Sequence, residues 1–259
     1  MKARYTPLQV ALPAATGFPE ILEAMPVVTA DLHSALPAVL AGVRATRPTA
    51  RVAYVMTDGG ALPAWFSRTL DALADDLAGV VTTGQAFGGD LEATNVHSGL
   101  LAARHGLGAD VTVVAQGPGP LGTGSRWGFS GTAIGEAVNA ASALGGRPVG
   151  ALRISGAEPR PRHRGVSDHC LVAYGRVALA PADLAVPSGL AEPLAGAVDA
   201  ALRPLCPPHR LVRVDPDGLD AALRALPLKP STMGRDLDAD HAYFLAAAAA
   251  GRHAAALLP

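Results

Sequence analysis

The stretch VTVVAQGPGPLGTGSRWGFSGTAIGEAVNAASALGGRPVGALRI, residues 111–154, decides the fold. It opens on a short, wholly apolar β-type run at 111–115 and passes through a glycine-rich loop. A helical pattern follows over 132–144 and stops at Gly145-Gly146, a normal helix terminator. A second β-type run over 148–154 closes the unit. Strand, loop, helix and strand in this order make a right-handed crossover between parallel strands.

The same rhythm extends toward the N-terminus. Apolar runs at 27–30, 51–56 and 79–83 alternate with helical patterns at 35–47, 62–77 and 91–105. In the first helix Leu36, Val39, Leu40 and Val43 recur at helical spacing, and Pro37 suits a first turn. The second carries Trp65, Phe66, Leu70 and Leu73. Strands that are apolar throughout, rather than alternating, belong to a sheet covered on both faces. The expectation is an α/β fold, a largely parallel sheet with helices on both faces (Rossmann-like, three-layer). After Ile154 the rhythm breaks. Residues 156–165 carry two prolines and three arginines, and 168–180 reads as a longer strand extending the sheet in antiparallel sense. A helix at 188–205, a strand at 210–214, a helix at 218–226, a loop at 229–235 and an alanine-rich helix at 238–257 follow. With no repeat and no long linker, residues 1–259 read as a single α/β domain; a C-terminal subdomain from about 187 is the alternative.

Composition excludes several functions. The chain has 259 residues, 49% of them hydrophobic, and a formal net charge of −1, so neither nucleic acid nor an anionic membrane is drawn in by bulk charge. Of its 21 basic residues only Lys2 and Lys229 are lysines. No P-loop exists, and a Schiff-base (PLP) enzyme would have to use Lys229, between prolines in a loop. Cys170 and Cys206 are isolated and read as reduced thiols of a cytoplasmic protein. The apolar stretch at 10–16 is broken by Pro13, too weak for a signal sequence, and 245–250 is far short of a membrane span.

In open parallel sheets, ligands bind beyond the carboxyl ends of the strands. The polar and glycine residues of this chain gather there: Asp31-Leu32-His33-Ser34, Thr57-Asp58-Gly59-Gly60, Gly84-Gln85-Ala86-Phe87-Gly88-Gly89-Asp90, the loop from Gln116 to Trp127, and the arginine-rich loop after Ile154. Turn formation and helix capping would explain any one of these loops, but all five lie on one edge. Gly117-Pro118-Gly119-Pro120-Leu121-Gly122 matches G-x-G-x-x-G, yet the helix starts well beyond Gly122 and no acidic residue ends the next strand. NAD is therefore not expected. An anion cradle of backbone amides with Arg126 beside it fits better. Asp31 and His33, two apart, project to one side of an extended backbone and with Asp58 would form a divalent-metal set, Asp90 lying on a neighbouring loop. No serine has the nucleophile-elbow frame. Arginine forks at Arg162 and Arg164 suit phosphate or carboxylate. His33, His97 and His169 are candidate acid–base groups.

These loops, with 162–167 and Ser231-Thr232-Met233-Gly234-Arg235, resemble the bacterial family called domain of unknown function 3866. The resemblance spans nearly the whole chain but implies no activity. It adds Arg235 as an anion contact, and implies a small β-rich segment ahead of the region that matches Lys2, near where this chain starts. Relatives tend to carry paired histidines where this chain has Asp168-His169. The leading expectation is a hydrolase or transferase acting on an anionic or phosphorylated metabolite. Gln85, Gly117, Gly119, Gly122, Arg126, Arg162, Arg164 and Arg235 would bind it. Asp31, His33, Asp58 and Asp90 would supply the chemistry, with or without a divalent metal. The alternative is a non-catalytic metabolite sensor or scaffold. No nucleic-acid or membrane partner is expected, and a homodimer is compatible with the sequence.

Overall fold

The computed structural model describes Lys2 and residues 5–259. Eight parallel strands form one sheet: β1 (Pro26–Ala30), β2 (Val52–Thr57), β3 (Gly79–Thr82), β4 (Leu91–Glu92), β5 (Val111–Gln116), β6 (Arg147–Ala151), β9 (Asp183–Pro187) and β10 (Arg210–Val214). Their order is β10-β9-β6-β1-β5-β2-β3-β4. Register is set at the centre by Val28, which lies opposite Val113 on one side and Val149 on the other. Two short antiparallel pairs stand apart, β7 (Ile154–Ser155) with β8 (Gly165–Val166), and β11 (Ser231–Thr232) with β12 (Arg235–Asp236).

The central strands β1, β2 and β5 are buried at every position because their alternate side chains enter two different cores. Val28, Tyr54, Met56, Val113 and Ala115 meet helices α1 (Leu36–Thr46), α7 (Leu219–Arg224) and α8 (His241–Ala256) on one face. On the other face Val27, Ala53, Val55 and Val114 meet α3 (Val96–Leu101) and α4 (Ala133–Ala143). Farther along that face, Leu184 and Val186 meet α4, α5 (Asp168–Val172) and α6 (Leu194–Leu202). Among the described residues no helix is long and apolar enough to cross a membrane.

The alanine run of α8 has a packing cause. A Cβ on Gly42 would collide with the Ala248 carbonyl, and one on Gly251 with the Val39 carbonyl, so α1 and α8 touch backbone to backbone. Only small residues permit that approach.

Three expected elements differ, and one strand was not expected. Residues 168–180 are helical, as α5 and a π-helical turn (Ala173–Val177), because Ser167 caps the chain by accepting from the His169 amide and Cys170, Ala173 and Tyr174 share a buried helical face. The sheet is therefore extended beyond β6 by β9 and β10, both parallel, and not by an antiparallel strand from this segment. β9, which follows Pro181 and ends on Pro187, was not expected. The helix over 62–77 shrinks to a 3₁₀ turn (Ala64–Phe66) and α2 (Arg68–Ala72), since the Ser67 hydroxyl accepts from the Leu70 amide and restarts the helix. The helix over 91–105 begins only at Val96, after the Asn95–Ser98 capping box, because Leu91 and Glu92 join the sheet.

Gly42→Ala should lower the unfolding free energy by about 3 kcal/mol, the upper range for overpacking. Urea titration checks this.

Candidate functional site

β1 and β5 are hydrogen-bonded neighbours, yet the chain leaves them toward opposite faces, β1 into α1 and β5 into α4. Their departing loops part at a topological switch point, where open α/β sheets bind ligands. Asp31, the first residue past β1, sits at its base with 3% of its surface exposed.

Its Oδ2 lies 3.4 Å from Arg153 Nη1 and 3.6 Å from His169 Nδ1. Arg153 is itself buried and reaches Glu158 Oε2 at 3.0 Å. Glu158 also accepts from Arg160 Nε at 2.7 Å and Arg235 Nη2 at 3.0 Å. Arg235 Nε continues to Asp240 Oδ2 at 2.9 Å, and Asp240 takes the Ser155 hydroxyl at 2.8 Å. Charges in this buried chain thus alternate in sign. Burial pushes the Asp31 carboxyl up, but the adjacent His169 ring and the Arg153 charge outweigh it and hold the carboxyl below its usual value. The hydrogen bond from Arg160 holds Glu158 far below the ordinary carboxylate range despite its burial.

His169 occupies the first turn of α5. Its ring stacks on Phe129 at 3.9 Å and meets His163 edge-on at 4.6 Å. His163 is buried, with Nδ1 2.8 Å from the Ser167 hydroxyl and Nε2 accepting from Arg162 Nε at 3.1 Å. Burial, then the charges of its neighbours, push its pKa down to about 4, so the ring is neutral. In front of His169 lies a cavity of about 470 Å³, lined by Gly124, Ser125, Arg126, Arg162, Asp168, Leu171 and Val172. Among the described residues neither Arg126 nor Arg162 makes an ion pair, and Asp168 is the one carboxylate on the wall. An imidazole backed by a buried carboxylate can move a proton, and two guanidinium groups without a carboxylate partner can hold an anion, Arg162 through the nitrogens it does not give to His163.

The expected residues divide. Asp31, Arg126 and Arg162 come together around His169. Arg164 Nε donates to the Glu158 carbonyl at 3.3 Å, and Arg235 is bound into the network, so neither lines the cavity. Gly117 is buried against Met56, while Gly119 and Gly122 shape the exposed loop that carries Arg126. Asp58 and Gln85 share a turn, the Asp58 carboxylate accepting from the Gln85 amide at 3.0 Å. Asp58 lines a separate groove with His97, away from His169. Asp90 is at the opposite edge: it precedes β4, and its carboxylate accepts from the Val80 amide at 2.8 Å, at the start of β3. The loop from Gly84 has doubled back down the sheet because Leu91 and Glu92 are strand.

His33 is likewise corrected. Its Nδ1 lies 2.9 Å from the Tyr54 hydroxyl and Nε2 2.6 Å from the Ser67 hydroxyl, which takes up both nitrogens in the core. The set Asp31, His33 and Asp58 is not assembled, and among the described residues no three His, Cys, Asp or Glu side chains could hold a metal ion.

Arg153, Glu158 and Asp240 were not expected, and Gln116 was placed at the strand end without a role. Arg153 had a signal, a lone charge inside the apolar run Ala151-Leu152-Arg153-Ile154, which in a covered sheet demands a buried partner. Glu158 is the one acid in the arginine-rich loop.

Burial pushes the His33 pKa down to about 4 from its ordinary 6.5. The unfolded chain then binds more protons between these values, so stability is present above the unfolded value and falls as pH drops toward the folded one. His33→Asn should shrink the loss of unfolding free energy between pH 7 and pH 5 by about 2 kcal/mol, measured by urea titration at both pH values.

A family model described as protein of unknown function (DUF3866) matches residues 1–251. No curated protein and no solved structure matches. With nearly the whole chain matched, the protein belongs to the DUF3866 family.

Proposed function

We propose that the protein is an enzyme, a hydrolase or transferase, that acts on an anionic metabolite in the cavity in front of His169. Arg126 and Arg162 hold the anion there, and His169, backed by Asp31, carries the proton.

One contrast among the histidines supports this reading. His33, His163 and His209 each have both ring nitrogens engaged by the protein, as structural histidines do. His169 has Nδ1 toward a buried carboxylate, while among the described residues its Nε2 has no partner, and the residue lines a cavity. The 3.6 Å separation from Asp31 is long for a hydrogen bond, and acid–base pairs commonly tighten only when ligand binds. Asp31 fixes the ring so that its far nitrogen faces the ligand and stabilises the imidazolium that forms when that nitrogen takes a proton.

Inorganic phosphate, pyrophosphate and nucleoside monophosphates should raise the melting temperature with concentration, by mass action on the folded state. Arg126→Ala and Arg162→Ala should abolish that rise. On whichever phosphomonoester or carboxylic ester the protein turns over, His169→Asn should cost roughly 10²–10⁴ in kcat while the anion-induced melting shift survives. A melting curve unmoved by every anion would overturn the reading. Anion binding with no turnover in the wild-type protein would instead mark a sensor.

A further inference from the structure

Two buried oxygens without a partner belong to residues that line one small space at the switch point. Gln116, the last residue of β5, donates Nε2 to the Asp31 carbonyl at 3.1 Å. That bond fixes the amide, since turning it over would set Oε1 against the same carbonyl. Gln116 Oε1 and Asp31 Oδ1 are the two buried side-chain polar atoms that have no partner among the described residues. Both residues line a void of about 10 Å³ between the ends of β1 and β5 and the turn that opens α4, together with Thr57, Ser130 and Gly131.

Two glycines keep those oxygens approachable. A Cβ on Gly59 would press on Gln116 Oε1, and one on Gly131 would stand 2.5 Å from Asp31 Oδ1. Neither glycine has a positive φ, so what each contributes is the absence of a side chain.

We propose that this void binds a single water molecule, which donates one hydrogen to Asp31 Oδ1 and the other to Gln116 Oε1. Its volume matches one water, which needs roughly 10–15 Å³. Two converging acceptors require a donor and reject an anion. Charge selects water over a cation. The Asp31 carboxylate is already faced by Arg153 and the His169 ring on Oδ2, and the turn at Ser130–Thr132 presents the amide hydrogens of a helix start. Amide hydrogens suit the water's own oxygen and repel a cation; at Ser130 itself both amide and hydroxyl already donate to the Leu121 carbonyl, which leaves the amides that follow it in the turn.

The water completes the carboxylate. Oδ2 is held by Arg153 and His169, and Oδ1 by the water, so the carboxylate plane is fixed from both sides. Gln116 is then a positioning residue that acts through the water and Asp31 on His169. This last consequence rests on the proposed role of His169; the water site does not.

The test is a crystal structure of the full chain at a resolution that shows ordered water, from sodium, potassium and ammonium buffers. One peak within hydrogen-bond distance of both oxygens in every buffer is expected, and its loss in Gln116→Leu. A peak whose density follows the cation, or both oxygens turned onto backbone amides with no peak between them, would overturn the water. In solution, a cross-relaxation signal between water and the Gly131 amide is expected in the wild type and its loss in Gln116→Leu; no signal in the wild type counts against the site. The positioning role is read separately from the ¹⁵N shifts of the His169 ring. Gln116→Leu should move the Nδ1 resonance while the His209 ring, bound to Ala182 and Tyr174, keeps its own. An unmoved Nδ1 resonance would end the positioning role while leaving both the water and the proposed function of His169 standing.

Discussion

Burying the Asp31 carboxylate at the middle of a parallel sheet imposes a requirement that the second half of the chain meets. An isolated ionised carboxylate in a protein interior costs several kcal/mol even after relaxation, and only well-placed partners offset it. Arg153 is that partner, but a buried guanidinium needs compensation in turn, which Glu158 supplies. Glu158 then draws in Arg160 and Arg235, and Arg235 draws in Asp240. One buried charge thus organises the segment after β6, the β11–β12 hairpin and the start of α8 around a single point.

The packing of α8 makes that convergence possible. Gly42 and Gly251 bring α1 and α8 into backbone contact, which sets α8 down over β1, β6 and β9. Its preceding residue, Asp240, arrives beside Ser155 and Arg235. The hairpin is tied to the same place by Thr232, which accepts from the Ser34 hydroxyl at 3.0 Å, just past Asp31 in the chain. A stability device on one face of the sheet therefore serves the geometry of the site at its edge. His33, His163 and His209, with both nitrogens bound, are parts of the core, while His169 has one nitrogen toward the most deeply buried of the aspartates that face histidines and lines a cavity.

Much of this was legible in the sequence, for physical reasons. Uniformly apolar strands announce a sheet covered on both faces, and the switch-point rule directed attention to Asp31, Arg126 and Arg162. What stayed hidden depended on long-range pairing. Asp90 looked like a strand-end residue because nothing local shows that Leu91 and Glu92 pair with Val81 and Thr82. His33 beside Asp31 suggested a shared task, but the 3₁₀ turn that begins at His33 sends the ring inward to Tyr54 and Ser67. The run Leu171-Val172-Ala173-Tyr174 reads equally well as strand or buried helix, and only the Ser167 cap, visible in the sequence as a serine before an aspartate, decides it. Read as a strand, that segment hid how His169 meets Asp31.

The central claim is that Asp31 and His169 act as one unit. A double-mutant cycle on unfolding free energy, with Asp31→Asn, His169→Gln and the pair together, measures it most directly. The account predicts a coupling of at least about 1 kcal/mol, as for residues in one network. Effects that add to within about 0.3–0.5 kcal/mol, as independent sites do, would contradict it.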